Sequence, residues 1–253
     1  MVSYRAARGD DGGAFPRIRL CFFGDSITVG VGDSRWWGWP QRLCASERER
    51  GCELTPYILG VRGDTSAEIR SRWLPECRQR LVEPWAGGIV FCFGVNDTCD
   101  RDGVRQVPLP LSIENARATV GAANALKPVF WIAPLPVDAR SPVCHVEAAG
   151  VQHEFRNERI IELTGAFDAV AAELGVPFLD AGPVLRADAD LTASLAASDG
   201  IHPDDRGHHC IASTIRTSVL WRRWIARLEA PEKRDEWPAP SARHEFQPGS
   251  NSP

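Results

Sequence analysis

The chain has 253 residues, of which 43% are hydrophobic, and its formal net charge at pH 7 is −4. Such a composition is typical of globular proteins and is sufficient to bury a hydrophobic core. The slightly negative charge, without a dense stripe of lysine and arginine, argues against nucleic acid as a partner. The longest apolar stretch, residues 87–95, is too short to span a bilayer, so we expect no membrane span.

The N-terminal residues contain no apolar segment of a secretion signal, which predicts a cytoplasmic protein. The eight cysteines are scattered, and none forms a C-x-x-C pair. We therefore expect reduced thiols rather than a disulfide framework. The histidines, cysteines and carboxylates show no familiar metal-ligand spacing, so we expect no metal site. No residue pattern indicates a flavin or another cofactor.

Short apolar runs alternate with helix-like stretches along the chain. The apolar runs are residues 18–23, 54–59, 88–93, 128–133 and 177–179. The helix-like stretches are residues 39–50, 66–81, 113–126, 155–174 and a last helix from 203 or 204 to about 228. Strands that alternate with helices predict an α/β fold, with a parallel sheet covered by helices on both faces.

One folded domain is predicted over residues 17–229, preceded by a flexible segment at 1–16. Residues 230–253 are rich in proline, serine and charge and lack apolar periodicity, so we expect a disordered tail. The alternative is an arm that covers the site or a partner subunit, using Trp237 and Phe246. Residues 135–150 form a predicted long loop after a strand, and such loops often shape ligand sites.

Glycines and polar residues follow the apolar runs where the predicted strands end. Residues 24–26 follow the first run, 60–65 the second and 94–97 the third, and residues 199–203 precede the last helix. In open α/β sheets, ligands bind beyond the carboxyl ends of the strands. We therefore expect these segments to meet at one edge of the sheet.

Ser26 and His202 are the candidates for nucleophilic chemistry. A serine hydroxyl is a poor nucleophile unless a base takes its proton. His202 is the natural base, and Asp199, three residues earlier, is close enough to hold the imidazole. Each residue also has a plainer interpretation, with Ser26 and Asp199 as helix N-caps and His202 as a surface histidine.

Three groups are candidate donors to an oxyanion, which acyl transfer generates. They are the backbone N–H groups of Ser26 and Gly63 and the side-chain amide of Asn96. The plainer alternatives are that Gly63 only forms a turn and that Asn96 forms an Asx-turn. Asp64 and Asp97 directly follow two of these candidates, and we interpret them as supporting or capping groups rather than as acids.

Four short blocks occur in the order FGDSIT, GVRGDTS, FGVND and DGIHP. In order and rough spacing they resemble the blocks of the SGNH hydrolases, also called GDSL esterases and lipases. The resemblance covers residues 18 to about 228, and the four blocks together are highly specific. The first block has Ile27 where the name of the motif has leucine, a mild change that leaves the chemistry intact.

The resemblance implies a flavodoxin-like three-layer α/β/α sandwich with a five-stranded parallel sheet. It implies Ser26 as nucleophile, His202 as general base and then acid, and Asp199 as the residue that orients His202. The N–H groups of Ser26 and Gly63 and the side chain of Asn96 would form the oxyanion hole. Members of the family hydrolyse carboxylic esters through an acyl-serine intermediate without a metal, so the implied partner is a small-molecule ester.

A cluster of tryptophans follows the first block closely. Trp39 resembles the usual helix entry of the family and is interpreted as packing. Trp36 and Trp37 are less expected there, and we interpret them as candidate walls of an acyl or sugar pocket, since aromatic faces suit both. The alternative is a hydrophobic patch beneath a loop.

The sequence therefore predicts a serine esterase. The first alternative is an acyltransferase that uses the same site to acylate the hydroxyl of a metabolite, and product analysis with a competing alcohol separates the two. The second alternative is a non-catalytic binding module. The presence of all five site residues argues against it. These residues specify neither the acyl length, nor the alcohol, nor the oligomeric state.

Overall fold

The computed structural model describes residues 17–83, 85–140, 142–146 and 150–229. The predicted flexible segment 1–16 and the predicted tail 230–253 lie outside these residues. The elements in chain order are β1 (Arg17–Gly24), α1 (Ser26–Val29), α2 (Gly38–Arg48), β2 (Glu53–Gly60), α3 (Ser66–Arg78), β3 (Ala86–Cys92), α4 (Val95–Thr98), β4 (Asp100–Arg101), β5 (Val104–Arg105), α5 (Leu109–Asn124), β6 (Val129–Ile132), β7 (Val143–Val146), β8 (Gln152–Phe155), α6 (Asn157–Leu174), β9 (Phe178–Leu179), α7 (Gly182–Ala187), α8 (Ala189–Ala197), α9 (Asp205–Thr217) and α10 (Val219–Glu229).

A five-stranded parallel sheet forms the centre of the fold, with the strands in the order β2-β1-β3-β6-β9. Its strands correspond to the five apolar runs of the sequence, and helices cover both of its faces. The predicted α/β fold with a five-stranded parallel sheet is therefore confirmed.

Both faces of the sheet are apolar, because alternate residues of each strand pack against helices on opposite sides. On β1, Leu20 and Phe22 join one core cluster, whereas Cys21 and Phe23 join the other. Helices α2, α9 and α10 cover the first face, and α3, α5 and α6 cover the second. This burial on two sides explains why the strands read as continuous apolar runs.

A second, antiparallel sheet has the strand order β5-β4-β8-β7, and none of its strands is among those predicted from the sequence. The predicted loop 135–150 is therefore wrong over Val143–Val146. The helix predicted over 155–174 is α6, which begins two residues later than predicted, at Asn157, because residue 155 belongs to β8. These strands are only two to four residues long, too short for a period-2 pattern to mark them in the sequence.

The last helix is divided into α9 and α10, so the prediction of one helix to residue 228 is wrong at Ser218. Ser218 has an extended backbone with ψ 141°, and its Oγ accepts a hydrogen bond from the N–H of Trp221 at 3.1 Å. Trp221 and Trp224 pack against Phe130 of β6, with ring centroids 5.2 and 5.4 Å away. Among the described helices, none has both the length and the apolar character needed to cross a membrane.

Candidate active site

The carboxyl ends of β1, β2 and β3 lie level with one another. Gly24 of β1 pairs in register with Gly60 of β2 and with Cys92 of β3. The segments that follow these strands therefore emerge at the same edge of the sheet. This is the edge at which the sequence predicts the polar segments to meet.

Ser26 follows a tight turn at the end of β1. Gly24 has no room for a side chain, because a Cβ there would lie 2.3 Å from the carbonyl oxygen of Cys92. Asp25 is the N-cap of α1, and its carboxylate accepts a hydrogen bond from the N–H of Ile27 at 3.0 Å. Since Asp25 holds the cap position, the capping interpretation of Ser26 is wrong, and the serine hydroxyl is available for another partner.

That partner is His202. The Oγ of Ser26 lies 2.8 Å from Nε2 of His202, and Nδ1 of His202 lies 2.6 Å from Oδ2 of Asp199. The other carboxylate oxygen of Asp199 accepts hydrogen bonds from the N–H groups of Ile201 and His202 at 2.9 and 2.8 Å. The helix cap in this region is Asp204, so Asp199 is not the N-cap of the last helix. The three side chains form one hydrogen-bonded chain.

Gly200 forms the turn that brings Asp199 and His202 together. Its φ is +83°, in the left-handed region that favours glycine. A Cβ at this position would also lie 2.9 Å from Cγ1 of Val143, at the start of β7. The turn therefore depends on glycine both for its backbone conformation and for its packing against the second sheet.

The carboxyl group of Asp199 sets the tautomer of His202. Although partial burial alone would raise its pKa, the hydrogen bonds from His202 and from the two N–H groups bring it well below its usual range. An ionised carboxylate only accepts hydrogen bonds, so Nδ1 of His202 carries the proton. Nε2 is then the acceptor that faces the hydroxyl of Ser26, as proton removal from a nucleophile requires.

Gly63 and Asn96 are both linked to Asp64, Gly63 as its neighbour in the chain and Asn96 by a hydrogen bond. Gly63 has φ +80°, and nothing lies within 4 Å of where its Cβ would be, so its turn faces open space. The side-chain amide of Asn96 donates a hydrogen bond to the carbonyl oxygen of Asp64 at 2.9 Å. The carbonyl oxygen of Gly24 in turn accepts from the N–H of Val61 at 3.1 Å. These bonds join the segments of Ser26, Gly63 and Asn96 at one edge.

The model of the GDSL-like Lipase/Acylhydrolase family matches residues 22–210 of the sequence. The chain belongs to this family. The resemblance drawn from the four sequence blocks is thus confirmed, and the family assignment makes the protein an ester hydrolase. A comparison with curated protein sequences found no match.

Several solved structures are similar to this member of the GDSL-like family. The lipase/acylhydrolase from Enterococcus faecalis is 23% identical, with a TM-score of 0.62, and the match covers 81% of this chain and 96% of that one. The psychrotrophic esterase EstA from Pseudoalteromonas is 16% identical, with a TM-score of 0.59 and coverage of 82% and 98%. The acetylxylan esterase Axe2 from Geobacillus stearothermophilus is 17% identical, with a TM-score of 0.58 and coverage of 78% and 91%. At these identities the similarity shows the fold.

Trp36 and Trp37 lie on a loop of this GDSL-family protein that packs against the segment carrying His202. Ser34 donates hydrogen bonds from its N–H and its hydroxyl to the carboxylate of Asp205 at 2.6 and 2.7 Å. Both tryptophans are exposed, at 57% and 47%, and Trp36 has a φ of +57°, which is uncommon for a residue other than glycine. Trp39, by contrast, is fully buried and packs edge-on against a phenylalanine of β1, in line with the packing interpretation.

The carboxylates beside the oxyanion candidates are supporting groups, as the sequence suggested. Asp97 accepts a hydrogen bond from the N–H of Ser66 at 2.8 Å, at the start of α3. Asp64 pairs with Arg72, whose Nε lies 2.6 Å from its Oδ2. Sequence reasoning missed Arg72, and its position eight residues after Asp64 is not a spacing that signals a contact on a helix.

The ionisation of Asp25 makes the stability of the folded protein depend on pH. It is only 3% exposed, and burial raises the pKa of its carboxyl to about 6, although the N–H of Ile27 and the nearby His202 act in the opposite direction. In the unfolded chain an aspartate has a pKa of about 3.9, so the folded state binds the proton more tightly. As the pH rises from one value to the other, the folded state loses about 3 kcal/mol relative to the unfolded chain.

We therefore expect Asp25→Asn to gain stability over wild type as the pH rises. The difference in the free energy of unfolding should grow by about 3 kcal/mol between about pH 3 and pH 8, because asparagine does not ionise. Urea unfolding of both proteins at several pH values measures this. Asp199→Asn is the matched control: it should lose stability relative to wild type only as the pH rises to about 5 and should stay level above that, since folding lowers the pKa of Asp199 and its titration is complete there. A difference for Asp25→Asn that does not vary with pH would contradict the prediction.

Proposed function

We propose that the protein hydrolyses small-molecule carboxylic esters in two acyl-transfer steps, with Ser26 as the nucleophile. The observation that carries the proposal is the chain of hydrogen bonds from Ser26 to His202 and from His202 to Asp199, at 2.8 and 2.6 Å. Serine hydrolases on unrelated folds use the same three roles. Membership in the GDSL-like family supports the same reading.

In the first step, Oγ of Ser26 attacks the ester carbonyl carbon while Nε2 of His202 takes the hydroxyl proton. The carbon–oxygen bond to the leaving alcohol then breaks, and His202 returns the proton to the leaving alkoxide. Asp199 stabilises the imidazolium that forms between these events. The products of this step are the free alcohol and an acyl group on Ser26.

In the second step, water attacks the acyl group while Nε2 of His202 accepts its proton. The bond from the acyl carbon to Oγ of Ser26 breaks, and His202 returns the proton to Oγ. The carboxylic acid leaves, and the enzyme returns to its starting state. No redox change occurs, and no metal is needed for either step.

The negative charge on the carbonyl oxygen needs donors that are already in place. We assign this role to the N–H groups of Ser26 and Gly63 and to the side chain of Asn96. The open turn at Gly63 and the bond that fixes the amide of Asn96 on Asp64 support the assignment. Among the described residues, that bond is the only hydrogen bond of the Asn96 side chain, which leaves one amide N–H for the substrate.

We propose that Trp36 and Trp37 form one wall of the substrate site. Their exposure and the attachment of their loop to the segment of His202 support this role. Large aromatic faces outside a core are suited to contact with acyl chains or sugar rings. Since one of the similar structures is an acetylxylan esterase, an acetylated sugar belongs in the substrate panel.

The test is an ester panel with full product analysis. The full chain is incubated with p-nitrophenyl acetate, butyrate and octanoate and with an acetylated xylo-oligosaccharide. We expect alcohol and carboxylic acid in equal amounts, and no turnover by heat-denatured protein. An added simple alcohol separates the alternatives, because an acyltransferase would form the new ester in place of the acid. The absence of ester turnover by folded protein would contradict the proposal.

A further inference from the structure

Arg72, on α3, makes three polar contacts with its guanidinium group. Its Nε lies 2.6 Å from Oδ2 of Asp64, one terminal nitrogen donates to the carbonyl oxygen of Gly24 at 3.1 Å, and the other lies 3.1 Å from Glu76. The side chain is 17% exposed, and the guanidinium lies 5.8 Å from the ring centroid of Phe23. This arginine is therefore largely buried and held on several sides.

Two of these partners belong to the segments that carry the proposed oxyanion donors. Gly24 lies two residues before Ser26, and Asp64 directly follows Gly63. The backbone carbonyl of Asp64 also receives the hydrogen bond from Asn96 at 2.9 Å. The guanidinium thus connects the end of β1 directly with the segment that follows β2, and it reaches the segment after β3 through Asp64.

The planar guanidinium is suited to this task because it presents five N–H donors in a fixed geometry. It can hold a carboxylate and a carbonyl at the same time, which a lysine ammonium at the end of a flexible chain does less well. The buried carboxyl of Asp64 also needs a cation, since burial raises its pKa and Arg72 acts against that rise. Oxyanion donors lose much of their effect when they are displaced by about 1 Å.

We propose that Arg72 is a positioning residue, which holds the turns of Ser26 and Gly63 in register so that their N–H groups and the amide of Asn96 converge on the oxyanion. The inference rests on the proposed function. Arg72 acts through Gly24 and Asp64, to which its guanidinium donates hydrogen bonds. The competing explanation is an ordinary ion pair that only stabilises α3.

The test compares Arg72→Met with Arg72→Lys in the full chain, with kcat counted per active serine that a fluorophosphonate titrates. We expect Arg72→Met to lower kcat by about 10- to 100-fold with KM within about twofold of wild type, because misplaced donors weaken transition-state binding. Arg72→Lys keeps a charge beside Asp64 and so supports folding, yet we expect it to recover only part of kcat. For comparison, Asn96→Ala should lower kcat by about 10²- to 10³-fold.

Arg70→Met is the matched control on the same helix. Arg70 pairs with Glu114 at 3.2 Å and hydrogen-bonds to Asn115 at 3.0 Å, and neither partner belongs to the segments of Gly24 and Asp64. We expect this variant to keep the kcat of wild type. Two results would overturn the inference. One is a kcat per titrated serine equal to that of wild type in Arg72→Lys and in any folded Arg72→Met. The other is a loss of kcat in Arg70→Met as large as that in Arg72→Met. Failure of the proposed function would appear separately, as wild type without ester turnover.

Discussion

Replacement of Ser26 by alanine is expected to lower kcat by about 10⁵-fold or more, because nucleophile and base act as a unit. The variant loses the only atom that forms the acyl intermediate, while His202 and Asp199 keep their places. What remains is the background rate that the oxyanion donors and binding supply. The measurement is hydrolysis of the best ester from the panel, with single-turnover kinetics to detect traces of wild-type enzyme.

Ser71→Ala is the matched control for the serine. Ser71 is exposed on α3, and its hydroxyl donates to the carbonyl oxygen of Glu68 at 2.8 Å. We expect this variant to keep wild-type kcat. The assignment of Ser26 is wrong if Ser26→Ala, folded and free of wild-type protein, retains more than a small percentage of activity.

Asp199→Asn is expected to lower kcat by about 10⁴-fold, through the tautomer of His202. One oxygen of Asp199 accepts two backbone N–H groups, and the other accepts Nδ1–H of His202. Asparagine has only one oxygen, and the two backbone donors hold it. Its NH₂ group then faces Nδ1, which must lose its proton to accept, so Nε2 carries the proton and does not accept one from Ser26.

Asp204→Asn is the control for this substitution. Asp204 caps α9 by accepting from the N–H groups of Arg206 and Gly207, and asparagine caps helices about as well as aspartate. We expect Asp204→Asn to keep kcat near the wild-type value. Activity in Asp199→Asn within tenfold of wild type would show that the carboxylate does not set the tautomer.

The sheet and the segments of the site could be predicted because each signal is local. The strands are buried on both faces and read as apolar runs, and the polar blocks directly follow these runs. Parallel strands place their carboxyl ends at one edge, so segments distant in sequence were expected to meet there. The 2.8 Å contact between Ser26 and His202, 176 positions apart, agrees with that expectation.

The features that the sequence did not reveal depend on contacts between distant segments. The second sheet forms when short strands after β3 and β6 pair with each other, and neither segment has a clear pattern alone. Arg72 meets Gly24 and Asp64 only when α3 packs beside β1. The break at Ser218 is local instead: the Oγ of Ser218 accepts a hydrogen bond from the N–H of Trp221, three residues later, within a stretch predicted as one helix.

The most direct test of the central claim is to label the full chain with a fluorophosphonate and to map the modified residue by mass spectrometry. An activated serine displaces fluoride from phosphorus, and its Oγ remains bound to the probe. We expect label on Ser26 in the folded protein and none after heat denaturation. No label in protein that is shown to be folded, or label on another residue, would contradict the claim that His202 and Asp199 activate Ser26.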